Sequence, residues 1–149
     1  MQRAQLDHIL HQILEDAPEA SDIIFTVNKP AQVEVHGELR NARMEPNPGP
    51  LLPIQVEAIA MCMMGNRLRL YEDQVLRGSC DLSYELLGFC RFRVNILGQR
   101  GSLAIVMRRL TSAVPTIGEL ELPDVFYEMS REKFGLILIT GATGTGKTT

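Results

Sequence analysis

Residues 135–149 read GLILITGATGTGKTT and carry the strongest structural signal in the chain. The first part, Leu136–Thr140, is an uncharged apolar run between two glycines, which is typical of a central parallel strand buried on both faces. The second part, Gly141–Thr148, matches the pattern GxxxxGK[ST], in which a glycine-rich loop joins a strand to a helix. We therefore expect a phosphate-binding (Walker A) loop directly after a buried strand.

The residue types in this loop suit a nucleoside triphosphate. Glycines let the backbone wrap closely around an anion, and successive N–H groups then point at the phosphate oxygens. Lys147 would reach the β- and γ-phosphates, and the Thr148 hydroxyl would ligate Mg²⁺. ATP and Mg²⁺ are the expected cofactors, and the candidate binding residues are Gly141, Ala142, Thr143, Gly144, Thr145, Gly146, Lys147, Thr148 and Thr149.

Only Thr149 follows the motif, so the given sequence holds no second acidic strand for the magnesium shell and no candidate catalytic carboxylate behind the loop. Phosphoryl transfer depends on several such parts acting together. We expect these 149 residues alone to be non-hydrolytic or nearly so, with no catalytic residue among them.

Upstream of the loop, periodicity predicts a mixed α/β region. Helical spacing of apolar residues predicts a helix that ends at Ala17-Pro18, a helix that begins at Pro53 and a shorter one over 67–76. Alternation or β-rich composition predicts strands over 23–27, 32–36, 38–44, 80–86, 89–97 and 102–110. Residues 111–115 form a candidate linker, and the spacing of Leu122, Val125, Phe126 and Met129 predicts one further short helix.

The charge is uneven along the chain. The 15 Lys and Arg and 18 Asp and Glu give a net charge of −3, which argues against a general nucleic-acid or membrane coat. No acid lies between Glu85 and Glu119, whereas that stretch holds five arginines: Arg91, Arg93, Arg100, Arg108 and Arg109. A hairpin over 89–110 would place them on its exposed face and at its tip. This face could be the solvated surface of edge strands or could bind phosphate or another subunit.

The composition predicts the compartment of the protein and the state of its cysteines. The sequence has no run long enough to span a membrane and no signal-peptide core, so we expect a cytoplasmic protein without a transmembrane segment. Three cysteines without CxxC spacing predict reduced, structural thiols. The cluster 61–64 (Met-Cys-Met-Met) could bind a soft metal, although core packing is the usual role of methionine.

Several motifs together resemble the PilT/PilU-like branch of the secretion-type hexameric ATPases, the type IV pilus retraction (twitching motility) ATPases. The resemblance covers nearly the whole chain and rests on the order and spacing of Ala20–Asp22, Arg91–Asn95, Gln99–Gly101, Val114–Ile117, Glu121–Phe126 and Gly135–Thr149.

The resemblance implies a PAS-like N-terminal domain over 1–112, a mainly antiparallel sheet with helices. Residues 113–149 would be the linker and the truncated start of a RecA-like ATPase domain, with its first helix, strand and phosphate loop. Six subunits would form a ring that powers pilus retraction, peripheral to the inner membrane through the pilus machinery. Arg93, Arg100 and Arg108 would reach toward the nucleotide phosphates. The family's acidic box, second acidic strand and histidine box would lie beyond Thr149.

Two other functions fit the sequence less well. The chain could be a stand-alone PAS-like interaction or regulatory module with a non-hydrolytic phosphate loop. Binding of single-stranded nucleic acid by the arginine hairpin would need aromatic stacking partners among the arginines. Only Phe89 and Phe92 lie near them, and alternation turns Phe92 toward the core, so we expect no nucleic-acid partner.

Overall fold

The computed structural model covers all 149 residues and describes 1–110 and 115–141. The chain divides into two compact units, Met1–Ser112 and Ala113–Thr149. The first unit holds three helices and six strands: α1 Arg3–Asp16, β1 Asp22–Thr26, β2 Gln32–Val35, β3 Glu38–Asn41, α2 Pro53–Met64, α3 Leu68–Arg77, β4 Ser79–Leu86, β5 Cys90–Gln99 and β6 Ser102–Leu110.

The strands form one antiparallel sheet in the order β3-β2-β1-β6-β5-β4. This mixed α/β architecture confirms the predicted fold class. The strands β5 and β6 both lie inside the sheet, so the interpretation of their arginines as edge-strand charges is wrong. The β6 strand pairs with β1 on one side, as in Asp22 opposite Arg108, and with β5 on the other, as in Val94 opposite Met107.

One face of the sheet packs with the helices into a single core. Alternation along β5 buries Phe92, Val94 and Ile96, as predicted, and leaves the residues between them on the polar face. The helix α1 contributes Leu6, Leu10, Ile13 and Leu14, which recur at helical spacing. The helix α2 begins at Pro53, contributes Val56, Ile59, Ala60, Met63 and Met64, and ends before Gly65. The fold therefore presents the polar face of the sheet as its chemically distinctive surface.

The described part of the second unit contains a capped turn and one short helix, α4, Val125–Met129. Thr116 and Glu119 cap each other: the Glu119 carboxylate accepts hydrogen bonds from the Thr116 N–H and hydroxyl, and the Thr116 hydroxyl accepts one from the Glu119 N–H. These bonds lower the pKa of the Glu119 carboxyl.

The predicted buried strand over Leu136–Thr140 is wrong for this structure. Residues 136–140 form no strand, and Leu136 and Leu138 are 82% and 75% exposed. A strand needs a neighbour that accepts and donates its backbone hydrogen bonds. Within the described ranges no segment pairs with these residues, so the apolar run lacks the partners that would bury it. In the described ranges 1–110 and 115–141, no helix is both long and apolar enough to cross a membrane.

Candidate functional site

The polar face of the sheet brings two of the predicted arginines together. The register of the β5–β6 hairpin sets Arg93 directly opposite Arg108. Directly opposite residues of an antiparallel pair project from the same face, with Cβ atoms about 5 Å apart. Two guanidinium groups therefore share one small area of surface, which is unfavourable unless anions lie close by.

Two aspartates from neighbouring strands supply that negative charge. Arg108 Nε donates a hydrogen bond to Asp22 Oδ1 at 3.0 Å, and Asp22 is 4% exposed. Arg93 Nε lies 3.9 Å from Asp81 Oδ1, and both of these side chains are mostly exposed. The first contact is a partly buried ion pair with a good hydrogen bond, whereas the second is too long for a hydrogen bond.

The geometry leaves part of Arg108 available. Arginine carries five N–H donors, and only its Nε is engaged by Asp22. Its two terminal nitrogens make no hydrogen bond to any described residue, and the side chain is 70% exposed. Asp22 therefore fixes the direction of the side chain and leaves a forked pair of donors for an anion.

These four charged residues border a shallow groove of about 370 Å³. We call it the paired-arginine groove; its lining residues are Asp22, Asp81, Arg93, Asn95, Val106 and Arg108. The two positive and two negative charges balance. An anion bound here would have to compete with an aspartate, and the loosely held Arg93 is the easier of the two arginines to recruit.

The other arginines of the acid-free stretch lie elsewhere. Arg100 occupies the β5–β6 turn, seven residues from Arg93, which is roughly 23 Å along an extended strand. Arg109 pairs with the buried Phe92, so it projects from the helix-covered face, where it donates to the Pro18 carbonyl oxygen at 2.6 Å. The prediction that the hairpin arginines all lie on its exposed face or at its tip is therefore wrong for Arg109.

Of the predicted phosphate loop, the structure describes Gly141 alone. The candidate residues Ala142, Thr143, Gly144, Thr145, Gly146, Lys147, Thr148 and Thr149 lie outside the described residues, as does most of the candidate linker. Their predicted contacts with nucleotide and magnesium stay predictions. Within 1–110 and 115–141, no group of three or more His, Cys, Asp or Glu could hold a metal ion.

The cysteines and methionines fit the packing interpretation. Cys80 and Cys90 are buried, and burial raises the pKa of both thiols. Met63 and Met64 belong to the core, whereas Met61 is 55% exposed. Protonated thiols buried in a core are poor nucleophiles and poor metal ligands.

Comparison with known proteins supports the resemblance seen in the motifs. No family model matches the chain. The chain is 33% identical over 129 residues to the type IV pilus ATPase PilU of Pseudomonas aeruginosa, and this alignment covers 87% of this chain and 32% of that protein. It is 35% identical over 130 residues to the type IV pilus retraction ATPase PilT of the same organism, and this alignment covers 87% of this chain and 36% of that protein.

Solved structures agree with the sequence matches. A crystal structure of the pilus retraction motor PilT with bound ADP superimposes with a TM-score of 0.82 at 32% identity, covering 100% of this chain and 40% of that one. The ATPase DotB of Legionella pneumophila shares the fold, with a TM-score of 0.72 at 24% identity over 99% of this chain and 39% of that one.

These matches place the chain among the secretion ATPases. Within that class it belongs to the PilT/PilU-like group, as its motifs predicted. The chain spans about a third of the length of the curated relatives it matches.

Proposed function

We propose that this chain is the ATP-binding part of a hexameric motor ATPase that powers type IV pilus retraction and twitching motility by hydrolysing ATP in the complete protein. The observation that carries the proposal is the pair Arg93 and Arg108, set opposite each other in the sheet, with Arg108 oriented by the buried Asp22. Membership of the PilT/PilU-like group and the ADP bound in the related PilT structure support the choice of ligand.

In this proposal the two parts of the chain have different tasks. The backbone N–H groups of the loop 141–149 bind phosphate oxygens, Lys147 adds a positive charge, and Thr148 ligates Mg²⁺. The magnesium ion, when bound, neutralises charge on the phosphates. Arg108 presents its terminal nitrogens to a phosphate, and Arg93 exchanges its loose contact with Asp81 for the same anion.

The proposed assignment of domains follows the family. Residues 1–112 would be a PAS-like domain, and 113–149 the linker and first part of a RecA-like ATPase domain. The complete protein would act as a homohexamer on the pilus machinery at the cytoplasmic side of the inner membrane. The 149 residues alone would bind nucleotide without turnover, because a single phosphate loop cannot assemble the transition-state contacts.

Titration of the chain with a fluorescent ATP analogue, with and without Mg²⁺, tests the nucleotide site. We expect Lys147→Ala to abolish saturable binding and Arg108→Gln to weaken it about tenfold, as for loss of a hydrogen bond to a charged group. Arg91→Gln is the matched control, because Arg91 lies on the same face of the neighbouring strand β5 but outside the groove. Unchanged affinity in Lys147→Ala would refute the assignment.

A second candidate function is a stand-alone interaction or regulatory module. It is favoured by one observation: every residue of the described hydrophobic core lies in the unit Met1–Ser112. The coding sequence decides between the two. Continuation after Thr149 into acidic motifs would exclude the module, and a stop codon there would favour it.

A further inference from the structure

The sheet ends in two edge strands, β3 and β4, which differ in how well they are covered. The helix α3 packs against β4, and Arg3 Nη2 donates a hydrogen bond to the Glu85 carbonyl of that strand at 2.9 Å. In β3, by contrast, all residues from Glu38 to Asn41 are exposed, and within the described ranges no segment pairs with their outer side. An exposed strand edge can accept another strand.

The backbone of β3 directs alternate residues away from the sheet. The Ala42 N–H, just after the strand, donates to the Ala31 carbonyl at 2.8 Å. Because hydrogen-bonded and non-hydrogen-bonded pairs alternate in an antiparallel ladder, the even-numbered residues of β3 bond to β2. The N–H and C=O groups of Leu39 and Asn41 therefore point outward, where an added strand would bond to them.

The side chains of β3 separate by charge between its two faces. Glu38 and Arg40 lie opposite valines of β2 that pack with the core, so both project from the helix-covered face. Arg40 Nη2 donates to the Asp16 carbonyl at 3.3 Å, which ties this side chain to the end of α1. In the described part of the chain, Glu38 forms no ion pair. Leu39 projects from the polar face and is 56% exposed.

This pattern is self-complementary in one register only. When two copies of β3 pair antiparallel with Leu39 opposite Leu39, Glu38 of each copy faces Arg40 of the other. The two neighbouring registers with the same hydrogen-bonding phase set Arg40 opposite Arg40 or Glu38 opposite Glu38. Opposite charges stabilise a cross-strand pair and like charges destabilise it. The Glu38–Arg40 pairs also fall at non-hydrogen-bonded positions, where side chains approach most closely.

The turn before β3 leaves room for this pairing. His36 and Gly37 have positive φ values, 53° and 84°, as a tight two-residue hairpin turn requires. In the same register Gly37 faces Asn41 of the second copy, and a Cβ at Gly37 would meet no atom within 4 Å. The space beside the glycine is therefore open to the asparagine side chain. Because the hairpin is already formed, pairing costs little backbone entropy.

We propose that β3 is a self-association edge, through which two copies of the chain pair antiparallel about a two-fold axis at Leu39 and extend the sheet from one copy into the other. All of its residues belong to the unit Met1–Ser112. The contact is isologous, unlike the head-to-tail contact that repeats around a ring, so it does not rest on the proposed hexamer. The edge is short, and we expect a weak dimer with a Kd on the order of 100 µM.

Sedimentation of the 149-residue chain, at concentrations from about tenfold below to about tenfold above that Kd, tests the proposal. Glu38→Arg and Arg40→Glu each set like charges opposite each other twice, so each should weaken dimerisation at least about tenfold. An equimolar mixture of the two variants should associate again, because every cross-copy pair in the mixed dimer is opposite in charge. Glu72→Arg and Arg131→Glu, exposed controls away from β3, make the same changes in charge and should leave the Kd unchanged.

NMR of an equimolar mixture of ¹³C-labelled and unlabelled chain tests the register. We expect a nuclear Overhauser effect between the Hα atoms of Glu38 in one copy and Arg40 in the other, since these atoms approach closely in a non-hydrogen-bonded pair. Leu39→Pro removes an outward N–H without breaking a bond to β2, so it should weaken association in a sheet that stays folded.

Three results would overturn the proposal. The first is a wild-type chain that stays monomeric over the whole concentration range. The second is a dimer that persists in both charge-reversal variants, because it would use another surface. The third is loss of association in both variants without recovery in their mixture, because the pairing of Glu38 with Arg40 requires that recovery.

Discussion

Arg108 lies directly opposite Asp22 in the β1–β6 pair, and its Nε donates a hydrogen bond to Asp22 Oδ1 at 3.0 Å. Both side chains project from the polar face of the sheet, but the Asp22 carboxylate is buried whereas the Arg108 guanidinium is mostly exposed. The contact does two things: it stabilises the junction of β1 and β6, and it orients the arginine proposed to bind nucleotide.

Substitution of Asp22 should therefore affect both stability and binding. We expect Asp22→Asn to lower the free energy of unfolding by about 1 kcal/mol, because the acceptor loses its charge and the ion pair becomes a weaker hydrogen bond from Arg108 to a neutral amide. Affinity for the ATP analogue should fall in parallel. Urea unfolding and the fluorescence titration measure the two effects. Asp81→Asn is the control: its exposed, longer contact should change stability by less than about 0.5 kcal/mol. Equal effects of the two substitutions would contradict the distinction.

A hydrogen bond between α1 and β4 provides a test of packing. The Tyr84 hydroxyl donates to Asp7 Oδ1 at 2.6 Å, and the tyrosine ring is buried. Tyr84→Phe removes only the hydroxyl. We expect it to lower the free energy of unfolding by about 1.5 kcal/mol, the range for hydrogen bonds to charged groups. Chemical denaturation at neutral pH measures the loss, and no loss would mean that Asp7 is equally well satisfied by water.

The same pair predicts a pH dependence. Burial and the hydrogen bond to Asp7 raise the pKa of Tyr84 well above that of a tyrosine in the unfolded chain, which is about 10. The unfolded state then releases this proton first as the pH rises, so the tyrosine's contribution is complete below pH 10 and is lost above it. The stability advantage of the wild type over Tyr84→Phe should stay constant up to about pH 9 and shrink above pH 10. An advantage that grows with pH would reverse the assigned direction.

Local sequence patterns predicted the elements of the first unit but not the charge pairing across its sheet. Strand alternation placed Phe92 in the core and Arg93 on the polar face, because side-chain direction follows from sequence parity. The absence of acids near Arg108 suggested an unneutralised surface. Its partner Asp22 is 86 residues away in sequence and becomes a neighbour only through the strand order, which a single sequence does not encode in any local pattern.

At Leu136–Thr140, by contrast, a local pattern predicted a burial that the structure does not show. Its composition predicts burial, and burial requires neighbouring strands as well as apolar side chains. Within the described ranges no such neighbour is present, and the run is exposed. The composition of a segment indicates whether it favours burial, whereas other segments must supply the neighbouring strands that bury it.

The hairpin turn at Arg100-Gly101 can be tested by paired glycine substitutions. Gly101 has a φ of +78°, and a Cβ there meets no atom within 4 Å, so the cost of Gly101→Ala is conformational alone. We expect a loss of about 1 kcal/mol in the free energy of unfolding. Gly98→Ala, at an ordinary φ with 3.5 Å to the Gly78 carbonyl, should be neutral or stabilise by about 0.5 kcal/mol. Thermal unfolding of both variants measures the difference, and a Gly98→Ala loss as large as that of Gly101→Ala would disprove the conformational explanation.

The unit Met1–Ser112 should fold without the rest of the chain. All residues of the described core lie between Leu6 and Met107, so deleting 113–149 removes none of the apolar surface that this core buries. We expect residues 1–112 to unfold in one cooperative transition, with a free energy within about 0.5 kcal/mol of that of the same transition in the full chain. Urea unfolding followed by tyrosine fluorescence compares the two, with Tyr127→Phe introduced in the full chain so that the remaining tyrosines, Tyr71 and Tyr84, both belong to this unit. Val94→Ala in each background is the control, since a shared core should lose the same free energy in both. A lower midpoint for residues 1–112, or a different cost of Val94→Ala, would show that 113–149 contributes to the stability of the first unit.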